Sequence, residues 1–273
     1  MGSKVLSTLK WAGLAGTGLA GLYRYQPQRF FLFPRPLPEY DPPVDPDSEK
    51  LFSPKTRVAI VAAHPDDPEF YIGGLLTQLG RSGAKMTVVM CTDGDKGYYP
   101  RILTNSTENR RIRKLEQLEA ARRYKSGVTF LGFPDGRLQP DPQTVLSIVQ
   151  KLQAFKPEYV LSFDHVYPPR LQHSDHLAAG KATARALHAL PTVKWYLRFS
   201  TRAPNHLVDV TQEWASKMEL LAVHESQFRG DRLSWITEMV EGRARESGER
   251  IGVQYAEGLR CARIGAAAPV VKR

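Results

Sequence analysis

Short apolar runs rich in β-branched residues alternate with longer amphipathic stretches over most of the chain. The runs are bounded by Gly, Pro or polar residues, which is typical of strands buried on both faces of a parallel sheet. We predict strands at Arg57–Ala63, Lys85–Thr92, Val128–Leu131, Glu158–Phe163 and Val193–Phe199. Between them we predict helices at Gly73–Ser82, at Glu108–Lys125, from Asp141 to about Phe155, and at Ser174–Leu190.

Residues at the predicted helix ends agree with these bounds. Gly83 follows the first helix, where glycine favours a left-handed C-terminal cap. Ser106 or Thr107 can cap the second helix, and Asp141 followed by Pro142 is a good start for the third. The alternation of strand and helix predicts an α/β fold, namely a three-layer α/β/α sandwich with a mostly parallel, Rossmann-like sheet.

Composition is that of a globular protein, since 42% of the 273 residues are hydrophobic and 24% are charged. The cysteines, Cys91 and Cys261, lie far apart and are predicted to be packed free thiols. The formal net charge of +10 favours anionic surroundings. Because no nucleic-acid-binding module accompanies this charge, we do not expect nucleic acid as a partner.

The N-terminal region differs from the rest. Trp11–Tyr23 is an uncharged run flanked by basic residues, but it is shorter than the ~20 apolar residues of a membrane-spanning helix. Including Val5–Leu9, with Lys10 snorkelling, would bring it near that length. A signal-anchor, a cleaved secretory signal and a surface helix all stay open. We expect the first, and hence a membrane-associated protein with a single N-terminal anchor and a slight preference for export.

These features divide the chain into three parts. Residues 1–25 form the predicted anchor or signal segment. Residues 26–54 are proline-rich and are predicted to be an extended linker. Residues 55–265 form the predicted α/β domain.

Polar residues cluster directly after the first and fourth predicted strands, where ligands collect in folds of this kind. The first cluster is Ala63-His64-Pro65-Asp66-Asp67-Pro68-Glu69-Phe70, and the second is His173-Ser174-Asp175-His176. His64 and Asp67, three residues apart on a proline-stiffened turn, can chelate one divalent ion, and His176 can supply a third ligand. Two nitrogens and one oxygen leave a position for water, as in a catalytic zinc site.

Three further residues in these clusters have candidate roles. Asp66, next to a ligand carboxylate, can act as general base toward water and then protonate the leaving nitrogen. His173 can donate to the oxyanion of a tetrahedral intermediate, and Asp175 can fix the tautomer of His173. A lone histidine is more often a surface or packed residue, and an Asp-Asp pair is usually a turn or a cap. The prediction therefore depends on the two clusters together.

The segment AHPDDPEF, with HSDH at residues 173–176, resembles the PIG-L/LmbE-like family of zinc-dependent N-deacetylases. The resemblance runs from about Arg57 to about Arg260. It includes the supporting segments Thr92–Gly94, Arg113–Glu116, Phe130–Gly136, His224–Gln227 and Tyr255–Gly258. It implies a Zn²⁺ ion, or another divalent metal such as Fe²⁺, held by His64, Asp67 and His176. It also implies Asp66 as general base and His173 as the group stabilising charge on the carbonyl.

The resemblance further implies a substrate, namely an N-acetylglucosamine-containing glycan, glycolipid or glycoside that loses its acetyl group. Arg113 and Asp135 match family positions that contact the sugar or its polar substituent. Each has a plainer alternative, a helix-surface salt bridge with Glu116 or Glu119 for Arg113 and a turn for Asp135. Residues 93–106 are predicted to lie over the site, with Tyr98 and Tyr99 stacking on a sugar ring.

The chain departs from the family pattern at three positions. Pro68 precedes Glu69, Ser174 stands where proline is frequent, and Leu171 stands where some relatives have a tyrosine. None of these changes removes a predicted ligand, but the last removes an auxiliary oxyanion donor. Two alternatives to the deacetylase remain, a non-catalytic carbohydrate- or lipid-binding protein and a hydrolase of another acylated amine.

Overall fold

The computed structural model describes residues 45–97 and 106–264. The helices are α1 (Ser48–Leu51), α2 (Asp67–Ser82), α3 (Ser106–Arg123), α4 (Pro142–Phe155), α5 (Ser174–Ala186), α6 (Trp214–Ala222) and α7 (Asp231–Glu249). The strands are β1 (Arg57–Ala62), β2 (Lys85–Thr92), β3 (Ser126–Phe133), β4 (Tyr159–Phe163), β5 (Trp195–Phe199), β6 (His206–Asp209) and β7 (Ala256–Arg263).

The strands form one sheet in the order β3-β2-β1-β4-β5-β7-β6. The first five are parallel, whereas β7 is antiparallel to both β5 and β6. The predicted α/β class with a mostly parallel sheet is therefore confirmed. The chain moves outward from β1 through β2 and β3 and then crosses to β4, so the strand order reverses between β1 and β4. In such sheets this switch point is where ligands bind.

The core explains the apolar runs in the sequence. Val58–Ala62 of β1 and the whole of β4 are buried because helices cover both faces of the sheet. Cys91 and Cys261 are buried within this core and are not paired with each other, which confirms the prediction of packed free thiols. Burial raises the pKa of the Cys261 thiol to about 12, so neither its acidity nor its exposure marks it as reactive.

Most element bounds agree with the predictions, but α2 begins at Asp67 rather than at Gly73. Ile72 has non-helical angles (φ −137°, ψ 25°), so a first turn is separated from the regular helix that begins at the predicted residue. Gly83 caps the helix in the left-handed region at φ 81°, as predicted. At the start of α4, the Asp141 side chain accepts a hydrogen bond from the Thr144 N–H at 2.8 Å.

The C-terminal third adds elements for which the sequence yielded no prediction, namely β6, α6, α7 and β7. Helix α7 places Ile236, Met239 and Val240 in a second, smaller apolar cluster with Leu221 and Phe228. Strand β7 inserts between β5 and β6. This addition extends the sheet beyond β5, and its apolar cluster packs against Phe70 near the start of α2.

The predicted membrane-associated localisation is wrong. Among the helices of residues 45–97 and 106–264, none combines the length and the apolar character that crossing a bilayer requires. The segment assigned as the anchor, residues 1–25, lies outside the described residues, as does most of the predicted linker. The uncharged run Trp11–Tyr23 is itself shorter than the ~20 residues that a bilayer-spanning helix needs.

Candidate metal centre and active site

Three elements bring the predicted metal ligands to the β1–β4 switch point. His64 lies two residues beyond β1, Asp67 opens α2, and His176 lies in the first turn of α5. Two hydrogen bonds between His64 and Asp67 close the turn that joins them. The Asp67 N–H donates to the His64 carbonyl at 3.2 Å, and the His64 N–H donates to the Asp67 carboxylate at 2.6 Å.

The donor atoms of these three residues lie close together. His64 Nδ1 is 3.3 Å from His176 Nε2 and 3.5 Å from Asp67 Oδ2, and His176 Nε2 is 3.0 Å from Asp67 Oδ1. Ligands at zinc-like bond lengths of about 2.0–2.1 Å in a tetrahedron are about 3.3 Å apart. The His176 ring is also held parallel to Phe163, with centroids 4.1 Å apart. The residues present therefore fit a small divalent metal.

Acidic groups surround the other side of the His64 ring. Its Nε2 is 3.1 Å from Asp135 Oδ1 and 3.2 Å from Asp175 Oδ2. Burial disfavours a charged His64, but hydrogen bonds to Asp135, Asp175 and Asp67 outweigh it and raise the pKa of His64 well above its usual value. In the same way His176 and His64 outweigh burial and lower the pKa of Asp67 well below its usual range. This centre therefore favours positive charge, whether a proton or a metal cation.

Asp66 directly precedes the candidate ligand Asp67 and is held by contacts with α3. Its backbone is left-handed at φ 101°, which costs about 1–3 kcal/mol in a residue other than glycine. The Asp66 N–H donates to Gln117 Oε1 at 3.0 Å, and Arg113 Nη2 donates to the Asp66 carboxylate at 2.9 Å. Burial raises the pKa of Asp66 to about 6, even though Arg113 opposes it. A carboxylate in this state can accept a proton near neutral pH.

His173 is the N-cap of α5, and this fixes its tautomer. Its Nδ1 accepts a hydrogen bond from the Asp175 N–H at 3.2 Å, so the neutral ring carries its proton on Nε2. Burial, together with His64 and His176, lowers the pKa of His173, which keeps the ring neutral at pH 7. The ring centroid is 4.7 Å from that of His64. His173 can thus offer an Nε2–H donor beside the centre.

Comparison with protein families agrees with this geometry. The model of the PIG-L family, described as GlcNAc-PI de-N-acetylase, matches residues 59–187, which contain all three candidate ligands together with Asp66 and His173. This match to the PIG-L family confirms the resemblance found in the sequence.

Two relatives of this chain are named as deacetylases. It is 26% identical to diacetylchitobiose deacetylase of Thermococcus kodakarensis over 77% of this chain and 84% of that protein. It is 28% identical to a protein of Bacillus anthracis, over 63% of this chain and 81% of the relative. That relative is named "Probable N-acetyl-alpha-D-glucosaminyl L-malate deacetylase 2".

A solved structure supports the same assignment. The N,N'-diacetylchitobiose deacetylase of Pyrococcus horikoshii, in complex with its inhibitor MPG, aligns with a TM-score of 0.71 at 26% identity. The alignment covers 76% of this chain and 84% of that one. The predicted class of enzyme, a deacetylase, is confirmed at the level of the family.

The structure places the two expected substrate contacts inside the site. Arg113 is 3% exposed and donates to the Gly94 carbonyl at 2.7 Å as well as to Asp66, so it is not a surface salt bridge. Asp135 is also buried, between His64 and the Lys96 N–H, which donates to it at 2.9 Å. Both residues position other groups of the centre.

The predicted role of Asp175 needs a correction. Its carboxylate does not hold His173. It contacts His64 Nε2 and accepts hydrogen bonds from the Gly136 and Leu138 N–H groups at 2.7 and 3.2 Å. The reason is that His173 caps the helix through the Asp175 backbone, while the Asp175 side chain points toward the loop after β3. Tyr98 and Tyr99 lie outside the described residues, and their predicted stacking on a sugar stays a prediction.

Sequence reasoning missed a buried polar network behind Asp66. Glu69 Oε1 accepts hydrogen bonds from Gln117 Nε2 and from the Tyr124 hydroxyl, both at 2.8 Å. Glu69 Oε2 is 3.2 Å from His224 Nε2, and both residues are fully buried. The segment His224–Gln227 in the family resemblance was the available signal, but the partner of His224 could not be identified from it.

Proposed function

We propose that this protein is a metal-dependent hydrolase that removes the acetyl group from an N-acetylglucosamine-containing glycan, glycolipid or glycoside. One observation carries the proposal. A carboxylate with a raised pKa, that of Asp66, lies next to a set of two imidazoles and one carboxylate that fits a divalent metal. The relatives named as deacetylases of acetylated sugars support the substrate class.

The metal is proposed to be Zn²⁺, or Fe²⁺ in its place, with His64 Nδ1, Asp67 and His176 Nε2 as ligands. When bound, it would act as a Lewis acid toward the amide carbonyl and lower the pKa of a water molecule. Asp135 and Asp175 can accept from the His64 Nε2–H, so that Nδ1, which faces Asp67 and His176, would be the nitrogen that gives up its proton to bind the metal.

The remaining steps are assigned to residues of the chain. Asp66 accepts the proton of the attacking water and returns it to the leaving nitrogen, so that acetate and a free amine are formed. Arg113 holds the Asp66 carboxylate in place at 2.9 Å. The Nε2–H of His173 donates to the oxygen that becomes negative as water adds to the carbonyl.

Release of acetate from a panel of N-acetylglucosamine compounds tests this function. We expect metal-dependent release by the natural sequence and a loss of about 10²–10⁴-fold in Asp66→Asn, the usual contribution of general acid–base catalysis. The metal content of the variant should be unchanged, because Asp66 is not a proposed ligand. A matched control is Asp141→Asn, since asparagine caps the start of α4 as well as aspartate does.

Two results would contradict the proposal. The first is that no compound of the panel releases acetate. The second is that Asp66→Asn retains the full rate. A non-catalytic binding protein would give the first result while still binding the sugars.

A further inference from the structure

The buried face of α3 carries polar side chains at a spacing of four residues. Asn109, Arg113 and Gln117 are all buried and follow one another along this face. Because a buried polar group without a partner is costly, each of these side chains needs a contact outside the helix. Asn109 Nδ2 donates to the Asp95 carbonyl at 3.3 Å, and Arg113 donates to the Gly94 carbonyl at 2.7 Å. Helix α3 therefore holds the loop that follows β2.

Gln117 makes the corresponding contact with the loop that follows β1. Its Oε1 accepts a hydrogen bond from the Asp66 N–H at 3.0 Å, and Arg113, one turn earlier, donates to the Asp66 carboxylate at 2.9 Å. The two residues thus hold Asp66 at its backbone and at its side chain. The left-handed backbone of Asp66, at φ 101°, needs such support, because this conformation persists only where the surrounding structure holds it.

The side-chain amide of Gln117 can face Asp66 in only one orientation. Its Nε2 donates to Glu69 Oε1 at 2.8 Å, and an ionised carboxylate can only accept hydrogen bonds. If the amide turned over, its carbonyl would face the Glu69 carboxylate and its NH₂ group would face the Asp66 N–H. Both contacts would then be lost. Glu69 therefore decides which end of the amide faces the proposed base.

Residues distant in sequence hold Glu69 in turn. The Tyr124 hydroxyl donates to Glu69 Oε1 at 2.8 Å, and His224 Nε2 is 3.2 Å from Glu69 Oε2. Ser226, two residues after His224, donates its N–H to the Glu116 carboxylate of α3 at 2.7 Å. The segment after α6 is thus tied to α3, and the orientation of the buried amide depends on parts of the chain that meet only in the folded protein.

We propose that Gln117 is a positioning residue for the general base: oriented by Glu69, it holds the left-handed backbone of Asp66 and so keeps the Asp66 carboxylate in its contact with Arg113. The inference rests on the proposed function, because it takes Asp66 as the base. Gln117 is fully buried, so it acts through Asp66 and does not touch the substrate.

Gln117→Met tests this role, because methionine has a similar length and makes neither hydrogen bond. A displacement of about 1 Å in a catalytic group can cost about 10²-fold in rate, so we expect kcat to fall about ten- to a hundredfold. KM and metal content should change little, since Gln117 contacts neither the substrate nor a proposed ligand. A kcat equal to that of the natural sequence would overturn the proposal.

The contact with Asp66 is measured without turnover. In protein labelled with [¹⁵N]aspartate, the Asp66 amide signal is assigned by its absence in Asp66→Asn, and its exchange with deuterium is followed by NMR. The natural sequence should protect this amide, and Gln117→Met should exchange it about tenfold faster. Equal exchange in the two proteins would overturn the proposal.

Asn205→Leu is the matched control. In the loop before β6, the Asn205 side chain likewise accepts a backbone N–H, that of Cys261 at 2.6 Å, and donates to the Cys261 carbonyl at 3.0 Å. This variant should lower the Tm while leaving kcat and the exchange of the Asp66 amide unchanged. An equal loss of kcat in Asn205→Leu and Gln117→Met would show a general effect of stability and overturn the proposal.

Exchanging the two ends of the buried contact tests its orientation, and it also covers the case in which Gln117→Met does not fold. In Glu69→Gln/Gln117→Glu, a carboxylate at position 117 still accepts from the Asp66 N–H, and an amide at position 69 donates to it. Gln117→Glu alone places two carboxylates in contact and should lose activity. The double variant should recover kcat and the protection of the Asp66 amide. A double variant no better than Gln117→Glu would overturn the proposal.

Acetate release separates this proposal from the proposed function. If the natural sequence releases acetate and Gln117→Met does so at the same kcat, Gln117 is excluded as a positioning residue while the deacetylase stands. If Gln117→Met speeds the exchange of the Asp66 amide but the natural sequence releases no acetate from any compound, the hold of Gln117 on Asp66 is supported and the deacetylase is contradicted.

Discussion

At the residue scale, the pKa values of two adjacent aspartates are shifted in opposite directions, because the backbone turns between them and gives their side chains different surroundings. The left-handed conformation of Asp66 sends its carboxylate toward Arg113, whereas Asp67 opens α2 and faces His64 and His176. Burial raises the pKa of Asp66 to about 6, while the neighbouring histidines lower that of Asp67. Environments that separate the pKa values of two neighbouring groups are typical of acid–base sites, here a base and a ligand.

Replacing Arg113 tests its effect on the proposed base. The positive charge of Arg113 lowers the pKa of Asp66, so its removal in Arg113→Gln should raise that pKa. Because the base acts only when it is deprotonated, the acid limb of kcat/KM against pH should move to higher pH. Arg113→Lys keeps the charge and should shift the limb less. A lower rate with an unchanged pH profile would show that Arg113 has only a structural role.

At the scale of elements, the C-terminal strands and helices hold the start of α2, which carries Asp67. The N–H groups of Gly74 and Leu75 each donate to the carboxylate of Glu257 in β7 at 2.9 Å. Lys217 of α6 contacts the same carboxylate at 2.6 Å. A Cβ atom at Gly74 would lie only 2.6 Å from the Cβ of Val210, so a larger residue does not fit there. The N-terminal part of α2 is thus supported by elements distant in sequence.

Gly74→Ala tests this close contact. Because the added methyl group would overlap a β-branched side chain, we expect the free energy of unfolding to decrease by about 1–3 kcal/mol, the usual cost of overpacking. Denaturant unfolding at a fixed temperature measures the change. The control is Gly127→Ala, whose Cβ would meet nothing closer than Thr87 Oγ1 at 4.0 Å. Equal losses in both variants would argue against a tight α2–Val210 contact.

At the scale of the whole molecule, the parallel sheet gathers like charges that the chain keeps far apart. Asp67 follows β1, Asp135 follows β3 and Asp175 follows β4, yet all three carboxylates lie within 3.5 Å of the His64 ring nitrogens. Such a concentration of negative charge is costly unless a cation compensates it. Metal binding and the stability of the fold should therefore be linked.

Removing the metal tests that link. Chelation should lower the Tm of the protein and added Zn²⁺ should restore it, because a ligand at 100 times its Kd stabilises the folded state by about 2.7 kcal/mol. In Asp67→Asn, which lacks a proposed ligand, Zn²⁺ should have a much smaller effect on the Tm. Thermal unfolding followed by circular dichroism gives the comparison. An identical Tm before and after chelation would contradict a bound metal that stabilises the fold.

The sequence by itself determined the class of fold and predicted which polar side chains meet at the strand ends. The apolar runs predicted the five parallel strands because residues buried on both faces leave a continuous hydrophobic signal. His64, Asp67 and His176 were predicted as a group because the carboxyl ends of parallel strands share one edge of the sheet. Different roles were predicted for Asp66 and Asp67 from their local sequence. In the structure their carboxylates have different partners, Arg113 for Asp66 and the two histidines for Asp67.

Only the tertiary structure decided the partners of the remaining side chains. Asp175 contacts His64 instead of His173, Arg113 holds Asp66, and Glu69 meets His224, which is 155 positions away in the sequence. Nor did the sequence predict the cavity of about 260 Å³ that Tyr71 of α2 and Val240 of α7 line. Periodicity along a chain reports which face of an element is buried, but which side chains meet there depends on the spatial order of the strands and on how helices pack across them.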